Sequence, residues 1–205
     1  MPADTPEPAE QPRPRGTYAK GIARRQEILD RAIEVFAARG SDRTSLRAIA
    51  REVGVTHAAL THYFGSLEEL LVAVYEESNA PGRQPDPPSA DATPVEMMIE
   101  SARFNRAIPG LVQLYSTLVA SALEEGHPAA RTFATGRFTR LRERLAETVR
   151  RQQEGGQVRK DVDADAVAAL VVAASDGLQT QWLLDENAPQ HEALALLDRL
   201  LRPPA

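Results

Sequence analysis

Thr56, His57, Thr61 and His62 stand close together in a short stretch backed by Leu60, Tyr63 and Phe64. Hydroxyl and imidazole groups of short reach and low charge suit hydrogen bonds to base edges and methyl contacts in a major groove. Metal ligation is the competing chemistry for two histidines. His57 and His62 are five residues apart, which does not place them on one helical face as an i, i+4 ligand pair would be. His127 and His191 lie far along the chain, and there is no cysteine to supply a thiolate ligand or nucleophile. No phosphate-binding loop, no G-x-S-x-G elbow and no H-E-x-x-H pair occurs. We therefore expect no metal, no cofactor and no enzymatic activity.

The elements needed to present such a face are legible around it. Ile28, Leu29, Ala32, Ile33 and Phe36 recur at helical spacing and predict a first helix over 19–39, stopped by Gly40. Leu46, Ile49, Ala50 and Val53 repeat the pattern over 45–53, with Thr44 or Ser45 as cap and Gly54 as breaker. A third helix over 56–64 follows. Two short helices joined at a glycine, with Ala50 permitting close approach and Val53, Val55 and Leu60 locking the angle, are the requirements of a helix-turn-helix. A plain helical hairpin uses the same turn and packing. Ser66 with Glu69 reads as a capping box opening a fourth helix to about residue 78, buried through Leu67, Leu70, Leu71 and Val74.

Residues 80–93 hold four prolines and a glycine and read as a long surface loop. Thr93, Pro94 and Glu96 form a second helix-start signal. Further helices are expected over 94–108, 111–125, 128–154, about 163–185 and 189–201, divided at Pro109-Gly110, Gly126-His127-Pro128 and Gly155-Gly156. The fold class is thus all-α, with about nine helices. The expected domains are a Pro-rich basic arm over 1–16, a DNA-binding head over 17–65 and an effector-binding and dimerisation domain over 66–205.

The net charge of −5 would disfavour DNA, but residues 11–64 hold ten Lys/Arg against five Asp/Glu, leaving −10 on the rest. A basic segment beside an acidic body matches a head that meets DNA and a body that DNA repels. Arg13 and Arg15 close the Pro-rich segment and could follow phosphates or enter the minor groove. The longest apolar run, 166–174, is half of what a membrane span needs, and no apolar stretch follows the N-terminal charges as in a secretory signal. The expected location is the cytoplasm.

The run TSLRAIAREVGVT at 44–56, the run LTHYFGSLEELL at 60–71 and the run ILDRAIEVFAARG at 28–40 resemble the DNA-binding signature of the TetR family. In the second half, DGLQTQWLLD at 176–185 is similar to stretches of one C-terminal subgroup. The resemblance implies base- or phosphate-contacting roles for Arg47, phosphate contact at the helix start formed by Thr44 and Ser45, base-facing positions at His57, Ala58 and Ala59, and a phosphate contact for Tyr63. Thr61 and Leu67 depart from the family pattern, which commonly places a phosphate-binding Tyr and a Lys there. Lys20, Arg24 and the N-terminal arm are then candidates to make up the lost contacts.

Helix 163–185 carries two apolar stripes. Val167, Leu170, Val171, Ala174 and Leu178 form one; Ala168, Val172, Ser175, Gln179 and Leu183 form the other. A helix apolar on two sides is buried on two sides, so one stripe is expected to face the chain's own core and the other a second copy. With Leu194, Leu197, Leu200 and Leu201 of the last helix, this predicts a four-helix homodimer interface, as the resemblance also implies. Phe104, Leu114, Tyr115, Leu118, Phe133, Phe138 and Trp182 are the large residues available to line an effector cavity, with Asp176 and Gln179 as polar anchors. The expected function is a dimeric repressor of operator DNA released by a small molecule. A partner-binding module with weakened DNA reading and a small helical enzyme are the alternatives.

Overall fold

The computed structural model describes residues 15–39, 46–80, 89 and 91–204. Among these, nine helices and no strand occur: α1 (Arg15–Arg39), α2 (Leu46–Val53), α3 (His57–Phe64), α4 (Leu67–Ser78), α5 (Pro94–Ala107), α6 (Leu111–Ser121), α7 (Pro128–Glu154), α8 (Ala164–Leu184) and α9 (Gln190–Leu201).

Side-chain caps set four of the described helix starts. Thr56, Ser66 and Asp163 accept the N–H of Ala59, Glu69 and Ala166 at 3.1, 3.1 and 2.8 Å. Thr93 and Glu96 make both bonds of a capping box. Two boundaries differ from expectation. α1 begins at Arg15 rather than near residue 19, one turn earlier, and runs through Gly16, since a glycine costs a helix only about 1 kcal/mol. α6 ends at Ser121 rather than near 125. There Leu123 and Glu124 donate to Ala120 and Ser121 in tight i→i−3 bonds before Gly126 turns left-handed at φ 88°.

Gly54 shapes the angle between α2 and α3. Its φ is +73°, a region that favours glycine. Val55 N–H donates to Ala50 C=O at 2.9 Å and Gly54 N–H to Arg51 C=O at 3.3 Å, the paired bonds of a Schellman turn.

Two cores fill the molecule. The first joins Ile28, Leu29, Ala32, Ile49, Val53, Leu60 and Phe64 to α4, α6 and the first turns of α7. The second joins α5, the far half of α7, α8 and α9 through Val95, Leu145, Val149, Val171 and Leu194. Phe138, midway along α7, packs against both.

α8 corrects the stripe assignment. Val167 and Val171 of one stripe are buried, and so are Ala168, Val172, Ser175 and Gln179 of the other, so neither stripe is left for a partner. Both inner stripes are used within the chain, against α5, α7 and α9. The outward face is a third row: Ala166, Ala169, Leu170, Ala173, Gly177, Gln181 and Leu184. On α9, Leu194 and Leu201 turn inward, Leu197 is half-buried, and Leu196 and Leu200 face out. By length and composition α8 is the one described helix that resembles a membrane span, and it packs along one side against α5, α7 and α9.

Candidate nucleic-acid interface and effector site

α3 is anchored from below and bare above. Leu60 and Phe64 are buried in the first core, and the guanidinium of Arg25 lies 4.9 Å from the Phe64 ring centroid. His57, Ala58, Thr61 and His62 are exposed, and Ala59 is half-buried. Thr56 is exposed while its hydroxyl oxygen caps α3. Thr61 donates its hydroxyl to His57 C=O at 3.0 Å, so its lone pairs face outward. Tyr63 is half-buried on the first core and meets His62 edge-on at 5.5 Å. Lys20, Arg47 and Arg51 are exposed on α1 and α2. Arg24 pairs with Glu27 at 2.5 Å, which reduces its value as a compensating phosphate contact. Thr44, Ser45 and Arg13 lie outside the described residues, as does the side chain of Arg15. Leu67 packs against the first core, giving a structural use to a position where the family commonly places lysine.

A carboxylate ties this head to the body. Glu68, in the first turn of α4, accepts from Ala129 N–H at 3.2 Å and lies 3.0 Å from His127 Nδ1. It thereby caps the N-terminus of α7, where a negative charge is favoured.

Behind α4, four polar side chains converge. The Tyr75 and Tyr115 rings stack at 5.4 Å, and Phe133 stands edge-on to Tyr75 at 5.3 Å. The guanidinium of Arg137 lies 5.4 Å from the Tyr75 centroid and 4.9 Å from that of Tyr115. Tyr115 donates its hydroxyl to Asp176 Oδ2 at 2.8 Å. The Tyr75 hydroxyl and the Arg137 Nε–H are buried without a hydrogen-bond partner. Burial raises the pKa of both phenols, and the neighbouring Asp176 adds to the rise. Burial also raises Asp176, against the Tyr115 hydrogen bond and the Arg137 charge, which lower it.

A carboxyl group raised in this way stabilises the fold below its ordinary pKa, and that contribution is lost as pH rises through the folded-state value. Asp176→Asn is therefore expected to raise the urea midpoint at neutral pH, with the gain shrinking toward about pH 4. An equal gain at both pH values would show that ionisation of Asp176 is not the cause.

Of the residues expected to hold an effector, Tyr115, Phe133 and Asp176 meet in this cluster, and Leu114 and Leu118 belong to the core around it. Phe138 is half-buried between the two cores and Phe104 is half-buried on α5. Gln179 is buried on α8. Trp182 stands apart, with Arg106 stacked over it at 5.1 Å. A cleft of about 140 Å³ between α5 and α9, lined in part by Arg106, Gln190 and Leu194, includes none of these residues. Tyr75 and Arg137 escaped the sequence reading. Arg137 follows the buried Phe133 by four residues and Ala134 by three, so helical register alone places an arginine on an inward stripe.

The chain is similar to known proteins along nearly all of this architecture. Residues 28–74 match the model described as bacterial regulatory proteins, tetR family, and residues 109–203 match that of the BetI-type transcriptional repressor, C-terminal. An HTH-type transcriptional repressor of Mycobacterium tuberculosis is 27% identical over 85% of this chain and 89% of its own. The probable acrEF/envCD operon repressor of Escherichia coli K12 is 25% identical over 91% and 89%. Among solved structures, the multidrug binding protein EbrR, complexed with imidazole, is 29% identical with a TM-score of 0.54 over 89% of this chain and 92% of its own. A regulator from Saccharomonospora viridis in complex with choline shares the fold at a TM-score of 0.67 and 24% identity over 87% and 95%. With an exposed polar recognition helix set on an all-helical body, and both halves matched, this chain belongs to the TetR family of DNA-binding transcriptional regulators.

Proposed function

We propose that the protein is a cytoplasmic repressor that binds a palindromic operator as a homodimer through α8 and α9 and leaves it when a small molecule engages the Tyr75–Tyr115–Arg137–Asp176 cluster. The observation that carries this reading is the position of that cluster. Its Tyr75 lies on α4, the helix that directly follows the recognition helix, and its other members lie on α6, α7 and α8. A ligand that shifts these helices shifts the head, and the state whose head spacing misfits DNA gains population. Matched relatives described as repressors, and a neighbour solved with a bound small molecule, support repression and release.

The dimer reading is supported by the outward row on α8, whose small residues suit close helix contact, and by the exposed Leu184, Leu196 and Leu200 beside it. An apolar surface of this kind is uncommon on a monomer. A two-fold pair would set two α3 helices in successive major grooves about 34–36 Å apart. Base contact is proposed for Thr56, His57, Ala58, Ala59, Thr61 and His62. Phosphate contact is proposed for Thr44, Ser45, Arg47, Tyr63 and Lys20.

Sequencing of genomic fragments selected by the purified protein tests the reading. A single short palindrome is expected, bound with a steep loss of affinity as salt rises. Arg47→Ala is expected to weaken binding to that site severalfold and to lower the salt slope by about one. Selection of no discrete sequence at any salt would end the repressor reading.

A further inference from the structure

The chemistry of the cluster narrows what the effector is. This inference rests on reading the cluster as the effector site. We propose that the small molecule held there carries a carboxylate, read by the edge of the Arg137 guanidinium and by the Tyr75 hydroxyl.

A guanidinium has two kinds of surface. Its faces stack on aromatic rings, and its planar edge presents N–H groups in a fork that fits a carboxylate. In Arg137 the cation already sits within reach of both phenol rings, at 4.9 and 5.4 Å. At its edge, the Nε–H is buried with no partner. The Tyr75 hydroxyl is the second partnerless donor, on a residue 2% exposed. Asp176 accepts from the Tyr115 hydroxyl at Oδ2 and makes no hydrogen bond to either of these two donors. A buried donor left unmade is costly, and two such donors beside one ring pair call for an acceptor from outside the chain.

The same geometry disfavours a cation. An ammonium group would need the faces of Tyr75 and Tyr115, and Arg137 is already set against them with like charge. Apolar Leu114, Leu118 and Phe133 surround the site, and its single guanidinium, which also feels the charge of Asp176, offers no more than one positive charge. This fits a monocarboxylate with an apolar body better than a phosphate dianion.

The test uses the full chain, calorimetry and thermal shift, with hexanoate, benzoate and phenylacetate, their methyl esters, and benzyltrimethylammonium as probes. At least one carboxylate is expected to bind tenfold or more tightly than its own ester, and the quaternary ammonium not to bind. Tyr75→Phe keeps the ring and is expected to cost the acid about tenfold, several times more than it costs the ester. Arg137→Gln is expected to abolish the preference for acid over ester, with circular dichroism confirming that it folds. Ammonium binding that Tyr75→Phe or Arg137→Gln alters would overturn the carboxylate while leaving the cluster as effector site. Binding of no probe, or binding indifferent to both substitutions, would overturn the two together.

Discussion

Ala173→Arg is expected to break the proposed α8–α9 dimer and to lower affinity for a palindromic site by about 10²–10⁴-fold. Ala173 lies at the centre of the outward row of α8, one turn from Ala169 and from Gly177. If the helices of two copies cross there, small residues let their backbones approach, and a guanidinium would hold them apart and be buried without a counter-charge. Its cost to the isolated chain is small, because the position is exposed and arginine is a good helix former. Each head would then bind its half-site alone and lose the gain in effective concentration that comes from being tethered to the other. Sedimentation measures the first effect and fluorescence anisotropy on the selected operator the second. A variant that still sediments as a dimer would move the interface away from α8.

Leu60→Ala should cost about 2–5 kcal/mol of stability, the range for deleting a fully buried leucine side chain. Leu60 is 0% exposed and packs in the first core with Ile28, Ile49, Val53 and Phe64. The head is built from one long and two short helices, so few contacts can close over the hole. Because that core continues into α4, α6 and the start of α7, the damage should reach beyond the head. A lowered urea midpoint is expected together with lost DNA binding, while Thr61→Ala, on the exposed side of α3, should leave the midpoint nearly unchanged. A small loss at Leu60 would mean that the head's packing is looser than its burial indicates.

Sequence punctuation revealed most of the helices. Gly54, Pro109-Gly110, Gly126-His127-Pro128 and Gly155-Gly156 each mark a break, and Thr93 and Asp163 each cap a start. Such signals are local, so they survive without knowledge of what packs on what. The faces of α8 were not legible in this way. A helix with alanine, valine or leucine on every side has no polar row to mark its outside, and so Leu170 and Leu183 were grouped with residues that turn inward. The Tyr75–Tyr115–Arg137–Asp176 cluster was half legible for a related reason. Tyr115 and Asp176 stand out as polar residues in apolar helices, whereas Arg137 sits in a strongly charged helix where one more arginine draws no notice. Only the packing of α7 shows that this arginine, unlike its exposed neighbour Arg140, is turned to the aromatic rings.

α7 has a mechanical consequence. At 27 residues it is about 40 Å long, a rigid bar spanning both cores. Phe138 packs against both cores part-way along it, where a pivot would lie, with Arg137 beside it. The near end is gripped by Glu68, two turns or fewer from the recognition helix. A tilt of about 5° at that pivot would swing the near end by about 1 Å and the far end by about 2 Å, the scale of known switching shifts between helices. Leverage of this kind would let a ligand no larger than one aromatic ring, seated at the pivot, reset the separation of two heads that it never touches.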